Sequence, residues 1–146
     1  MFHEGQFEGR KVRLPVFLGR RPVEPVNNGL LAFYRKLLGA INSPVFRRGE
    51  WTLCERTGWP DNPSYQNAVA WHWDYGTERY LIVVNLSDRE AQAMVHTGWD
   101  DLAGRSMSFN DELSGAKYDH PGDEIQSYGL YVDLPPWGCH FFRCFV

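Results

Sequence analysis

Two adjacent acid pairs, Asp100–Asp101 and Asp123–Glu124, are the densest carboxylates of the chain. General acid–base work needs carboxyl groups that converge on one point from different elements. Neighbours in a polar, glycine-containing loop diverge instead, so both pairs read as solvated loop acids. His72, His96 and His140 fall on three separate predicted strands. A zinc centre needs three or four ligands at a defined spacing, so no metal is expected. Cys139 and Cys144 lie an odd number of positions apart on one predicted strand and face opposite ways, which rules out a shared metal or a bridge within that strand. The glycines of Gly9–Arg21 lack the strand–loop–helix setting of a phosphate cradle. No cofactor is expected, and no residue is assigned a catalytic role.

The aromatic residues are the stronger signal. Six Trp, seven Tyr and nine Phe make up 15% of the chain, and such rings pack cores but also stack on sugars and nucleobases. Nucleic-acid binders draw most of their affinity from Lys and Arg on phosphates. Here the net charge is −3, and the one basic stretch (Arg10, Lys11, Arg13, Arg20, Arg21) is interrupted by Glu8 and Pro15. Nucleic acid is therefore excluded as a partner. Trp59 and Tyr65 sit in the polar loop 58–67, and Trp99 stands beside Asp100, where a large aromatic has little reason to be buried. These three are the candidates for a sugar-stacking platform. Trp71, Trp73 and Tyr75 share a strand face with Val69 and are expected to face the core.

The elements that must hold these residues follow from periodicity. Residues 1–25 are rich in Gly, Arg and Pro with no sustained period and read as irregular chain. Leu30, Tyr34, Leu37, Leu38 and Ile41 recur at helical spacing, with Asn28 as N-cap and Asn42-Ser43-Pro44 as the stop. From Phe46 the period becomes two, giving strands at 51–55, 69–75, 80–86, 91–96, 106–111, 117–119, 130–134 and 139–145. Short strands separated by turns, with no further helix, predict a mainly β fold: an antiparallel sandwich preceded by an irregular segment and one α-helix. No stretch approaches the ~18 apolar residues of a membrane span, no signal peptide opens the chain, and a cytoplasmic location is expected. Asn85-Leu86-Ser87 matches the glycosylation pattern, but at the end of an apolar strand it carries little weight.

The order of the helix, RRGEW, NAVAWHW, YLIVVNLSD, DELSG and LPPWGCHFFR resembles the C-terminal region of alpha-amylase-family glycoside hydrolases. In that family a catalytic (β/α)8 barrel is followed by an eight-stranded Greek-key β-sandwich. The resemblance implies that residues 1–44 correspond to the loop after the eighth barrel strand and the eighth barrel helix, with residues 45–146 as the C-terminal sandwich. His3, Glu4, Gln6 and Arg10 would then sit at the barrel rim and touch substrate in a parent enzyme. The family's three catalytic carboxylates would lie upstream of residue 1, and a complete barrel takes on the order of 250 residues.

The resemblance thus implies a noncatalytic accessory domain that covers and stabilises a barrel and contacts alpha-glucan. The alternatives are a stand-alone carbohydrate-binding module, or an interaction domain without sugar affinity. The expected partners are the barrel and alpha-glucan, with neither nucleic acid nor membrane. When no barrel covers the apolar stripe of residues 30–41, residues 1–41 are expected either to mediate self-association or to be the least protected part of the chain.

Overall fold

The computed structural model describes residues 2–12, 17 and 19–145. Arg13 and Pro15 of the basic stretch, with the chain ends Met1 and Val146, lie outside them. The chain divides into two compact units, Met1–Asn42 and Ser43–Val146.

In the first unit, turns over residues 4–9 precede helix α1 (Asn28–Ala40). The cap is Asn27 rather than the expected Asn28: its side chain accepts from Leu30 N at 3.0 Å, satisfying one of the free donors of the first turn. Phe2, Phe7 and Tyr34 cluster at ring separations of 4.9–6.2 Å, and no residue of α1 is fully buried.

The second unit is the predicted antiparallel β-sandwich. A short helix α2 (Val45–Arg48) leads into β1 (Glu50–Leu53), β2 (Glu55–Thr57), β3 (Ala68–Tyr75), β4 (Glu78–Asn85) and β5 (Ala91–His96). Then come β6 (Ser106–Asp111), β7 (Lys117–Pro121), helix α3 (Gly122–Tyr128), β8 (Leu130–Leu134) and β9 (Cys139–Phe145). One sheet runs β1-β3-β4-β9-β6-β7 and the other β2-β5-β8. The last strand returns to pair between β4 and β6, so distant segments become neighbours in the manner of a Greek key. Among the described residues the sandwich thus holds nine strands rather than eight, because residues 50–57 break into β1 and β2, which join different sheets. The helix α3 is also unforeseen: seven residues are too few to show a helical period.

Strands β3 and β4 are joined by Gly76-Thr77, with Tyr75 opposite Glu78. Gly76 leads this two-residue loop at φ 62°, the left-handed value that a twist-compatible hairpin turn demands and that glycine adopts freely. The core holds Leu81 and Val83 of β4, Met107 and Phe109 of β6, Leu130, Val132 and Leu134 of β8, and Phe142 and Cys144 of β9.

One facing expectation is reversed. On β3 the residues turned into the sandwich are Ala68, Ala70 and His72, while Trp71 and Trp73 are half-buried on the outer face and Tyr75 is exposed. Register carries Trp51 and Leu53 of β1 to that same outer face, opposite Trp73 and Trp71. Phe145, at the end of β9, is also exposed. Phe141 is buried, but from outside: Phe46 of α2 packs on Trp73, Tyr80 and Phe141 at 4.8–5.9 Å.

Asn85 is fully buried. Its amide donates to the carbonyls of Arg89 (2.6 Å) and Pro135 (3.0 Å), tying the end of β4 to the Pro135–Gly138 turn. It is a structural residue and no glycan acceptor. The same turn holds Trp137 at φ 56°, exposed to solvent, with its amide on Ser87 O at 3.0 Å.

Candidate functional site

The three aromatic residues predicted to form one platform are separated by the fold. Only Trp59 is on the surface, at 39% exposure. It lies just after β2, where a bridge to Asn62 closes a tight loop (Asn62 N to Trp59 O, 3.0 Å). The Asn62 side chain accepts from Ser64 N at 3.1 Å and caps the 3₁₀ turn Pro63–Asn67. That turn drives Tyr65 inward against the core. A Cβ on Gly58 would come within 2.4 Å of the Tyr65 ring, so the loop closes only with glycine there.

Trp59 meets Tyr131 of β8, edge to face at 6.0 Å. Tyr131 is exposed because it alternates with the buried Leu130 and Val132. A polar row runs beside the two rings: Asn62 Nδ2 donates to Gln92 Oε1 (2.9 Å), and Gln92 Nε2 donates to Asp133 Oδ2 (3.3 Å). Burial and the adjacent Asp133 carboxylate hold the Tyr131 phenol above its ordinary pKa, so the hydroxyl keeps its proton. Two aromatic faces with amide and carboxylate groups alongside are the parts from which sugar platforms are built: rings for the CH face, polar atoms for the hydroxyls. Tyr131 carries this chemistry yet was not among the candidates, although its place in an alternating strand marks it as outward-facing.

Trp99 is instead 7% exposed and belongs to the core. Its ring meets His72 at 5.3 Å, and the Arg79 guanidinium lies over it at 5.1 Å. Arg79 pairs with Asp74 at 3.2 Å and is bidentate to Asp101 at 2.8 and 2.9 Å, while His72 bonds Asp74. Asp101 is held below the usual carboxylate range, first by its Arg79 bond and with Arg105 adding to the effect. The cluster locks the 97–101 loop onto the sandwich, and the polar neighbours of Trp99 in sequence concealed that.

The remaining candidates lie in the first unit. Gln6 bonds its neighbours, with Oε1 accepting from His3 N at 3.1 Å and Nε2 donating to Tyr34 Oη at 2.8 Å. Glu4 pairs with Arg21 at 3.5 Å, and Arg10 N donates to Gly5 O at 2.9 Å. His3, Glu4, Gln6 and Arg10 therefore gather in one local turn system. Their role at a barrel rim belongs to the proposal below. Of the acids, Asp123 accepts from Gly104 N at 2.9 Å, and Asp111 pairs with His140 at 2.8 Å. Among the described residues no group of His, Cys, Asp or Glu is arranged to hold a metal ion, and no helix is long and apolar enough to cross a membrane.

No family model matches this chain, and no curated protein matches it. Solved structures do. AmyB, a maltogenic alpha-amylase from Thermotoga neapolitana, matches 97% of this chain and 32% of its own at TM-score 0.73 and 15% identity. An Anoxybacillus alpha-amylase matches 82% of this chain and 23% of its own, at TM-score 0.56 and 13% identity. An isomaltulose synthase variant from Erwinia rhapontici NX5 matches 82% and 19%, at TM-score 0.51 and 19% identity. At such identities the likeness is one of fold. This chain spans at most 32% of the length of these enzymes.

Proposed function

We propose that this chain is a noncatalytic accessory domain of an alpha-amylase-type glycoside hydrolase, which stabilises a catalytic barrel and contacts alpha-glucan. The fold match to AmyB, covering nearly all of this chain and a third of that one, is the observation that carries the reading. The outer face of the larger sheet supports it. Trp51, Leu53, Tyr75 and Phe145 are exposed there beside the half-buried Trp71 and Trp73, an apolar area of the kind that a neighbouring domain covers. On this reading His3, Glu4, Gln6 and Arg10 stand at the barrel rim, and Trp59 with Tyr131 supplies the contact to glucan.

A retaining glycosidase brings two carboxyls to ~5 Å across the scissile bond, and here Asp74 and Asp101 are paired with Arg79 while Asp111 is hydrogen-bonded to His140. On the accessory-domain reading the catalytic carboxylates belong to the barrel, and the purified chain is expected to leave starch, maltooligosaccharides and chromogenic alpha-glucosides intact. Turnover by pure protein that disappears on mutating an acid of this chain would overturn the reading.

A further inference from the structure

Beside the Trp59–Tyr131 platform the sandwich is open. Strand β7 ends the six-stranded sheet and β8 ends the three-stranded one. Between them lies a cleft of about 260 Å³. The buried Phe109, Leu130, Val132 and Phe142 line it together with Tyr118, His120 and His140, and β8 closes one side at Tyr131 and Asp133. From this geometry we propose that the cleft binds one pyranose ring of a neutral saccharide, as a site adjoining the surface platform.

The first argument is shape. The volume lies below the ~300–1,000 Å³ of pockets that take drug-sized ligands, which leaves room for one ring. Tyr118 is exposed on the edge strand and meets His140 and Phe142 edge-on at 5.9 and 5.8 Å. His140 stacks flat on Phe142 at 4.6 Å. Together these rings offer apolar surface to the CH face of a sugar.

The second argument is hydrogen bonding. The buried Asp111 accepts from Leu113 N (2.9 Å) and Ser114 N (3.3 Å) and faces His140 Nδ1 at 2.8 Å. A carboxylate only accepts, so Nδ1 carries the proton and Nε2 is left for a ligand. An imidazole nitrogen so placed suits a hydroxyl of a saccharide.

The third argument is charge. Among the described residues no Lys or Arg lines the cleft, so a phosphorylated or carboxylated ligand would meet no fixed counter-charge there. The site itself stands on the cleft alone; only the choice of an alpha-linked glucan as first probe rests on the accessory-domain reading.

The test is an amide-resolved NMR titration of the full chain with maltoheptaose, and separately with cellohexaose. Shifts should centre on Tyr118, His120, Tyr131 and His140, with affinity in the millimolar range. Y118A should weaken it at least tenfold while leaving the remaining spectrum in place, which keeps loss of binding distinct from unfolding. Shifts with cellohexaose but not maltoheptaose would uphold the cleft and refute the alpha-glucan reading. Three outcomes would overturn the cleft proposal: no shift with either saccharide, shifts abolished by W59A but untouched by Y118A, or the same amides answering only to choline, whose cation also suits aromatic rings beside a carboxylate.

Discussion

Truncating Val83 to Ala tests the facing of the central strand, on which the placement of both sheets depends. Val83 has no exposed surface and stands opposite Ala70 on one side and His140 on the other. Ala70 has no reach to fill the space that is left. Removing two methyl groups from a buried site costs ~1.6 kcal/mol at ~0.8 kcal/mol each. A residual cavity of ~40 Å³ adds ~1 kcal/mol at ~24 cal/mol per Å³, and relaxation reduces that part. The expected loss is therefore ~1.5–2.5 kcal/mol. Val84, one residue on, is half-buried on the outer face, so its truncation should cost ~0.8 kcal/mol or less. Urea unfolding followed by Trp fluorescence measures both. With a slope of ~1.5 kcal/mol per molar, V83A should lower the midpoint by ~1–1.7 M without changing the slope. A V83A loss below ~0.5 kcal/mol, or one no larger than that of V84A, would refute the assigned facing.

Burial raises the pKa of Asp111, but its bonds from His140, Leu113 and Ser114 outweigh that and leave it below its ordinary 3.8. A depressed folded pKa contributes stability that is fully present above the unfolded value and lost as pH falls through the folded one. Unfolding free energy should therefore decline with acid below about pH 4, and D111N should flatten that decline while costing ~1–3 kcal/mol at neutral pH; an unchanged acid profile would refute the pairing. Burial pushes the Cys54 thiol up to about 12 and also raises Cys144. Both should resist a disulfide reagent at pH 8 in the native protein, with the half-exposed Cys139 reacting first and all three reacting in denaturant. W59A should change stability by less than ~0.5 kcal/mol, as expected for a surface ring, yet abolish the fluorescence response to maltooligosaccharide. In the isolated chain the half-exposed stripe of α1 should drive concentration-dependent self-association in light scattering, and a strict monomer would count against it.

Much of this molecule follows from the sequence alone. The 3.6-residue recurrence of Leu30, Tyr34, Leu37, Leu38 and Ile41 marks α1, and the apolar run Tyr80–Leu86 marks the central strand β4. Both signals arise within one element, where side-chain period mirrors backbone geometry. Facing is another matter, because alternation separates two faces without saying which is inside. On β3 the larger residues, Trp71 and Trp73, point outward, while Ala68, Ala70 and His72 face the space between the sheets, which Leu81, Phe109 and Trp99 already fill. Trp99 looked like a surface ring among acids until Arg79, twenty positions earlier on β4, drew Asp101 to itself and closed the loop inward. The cleft was invisible for the same reason. Tyr118, Tyr131 and His140 belong to β7, β8 and β9, and they line one cleft only because two sheets end side by side. Local pattern therefore determined the elements, while the long-range pairing of strands decided which residues share a surface.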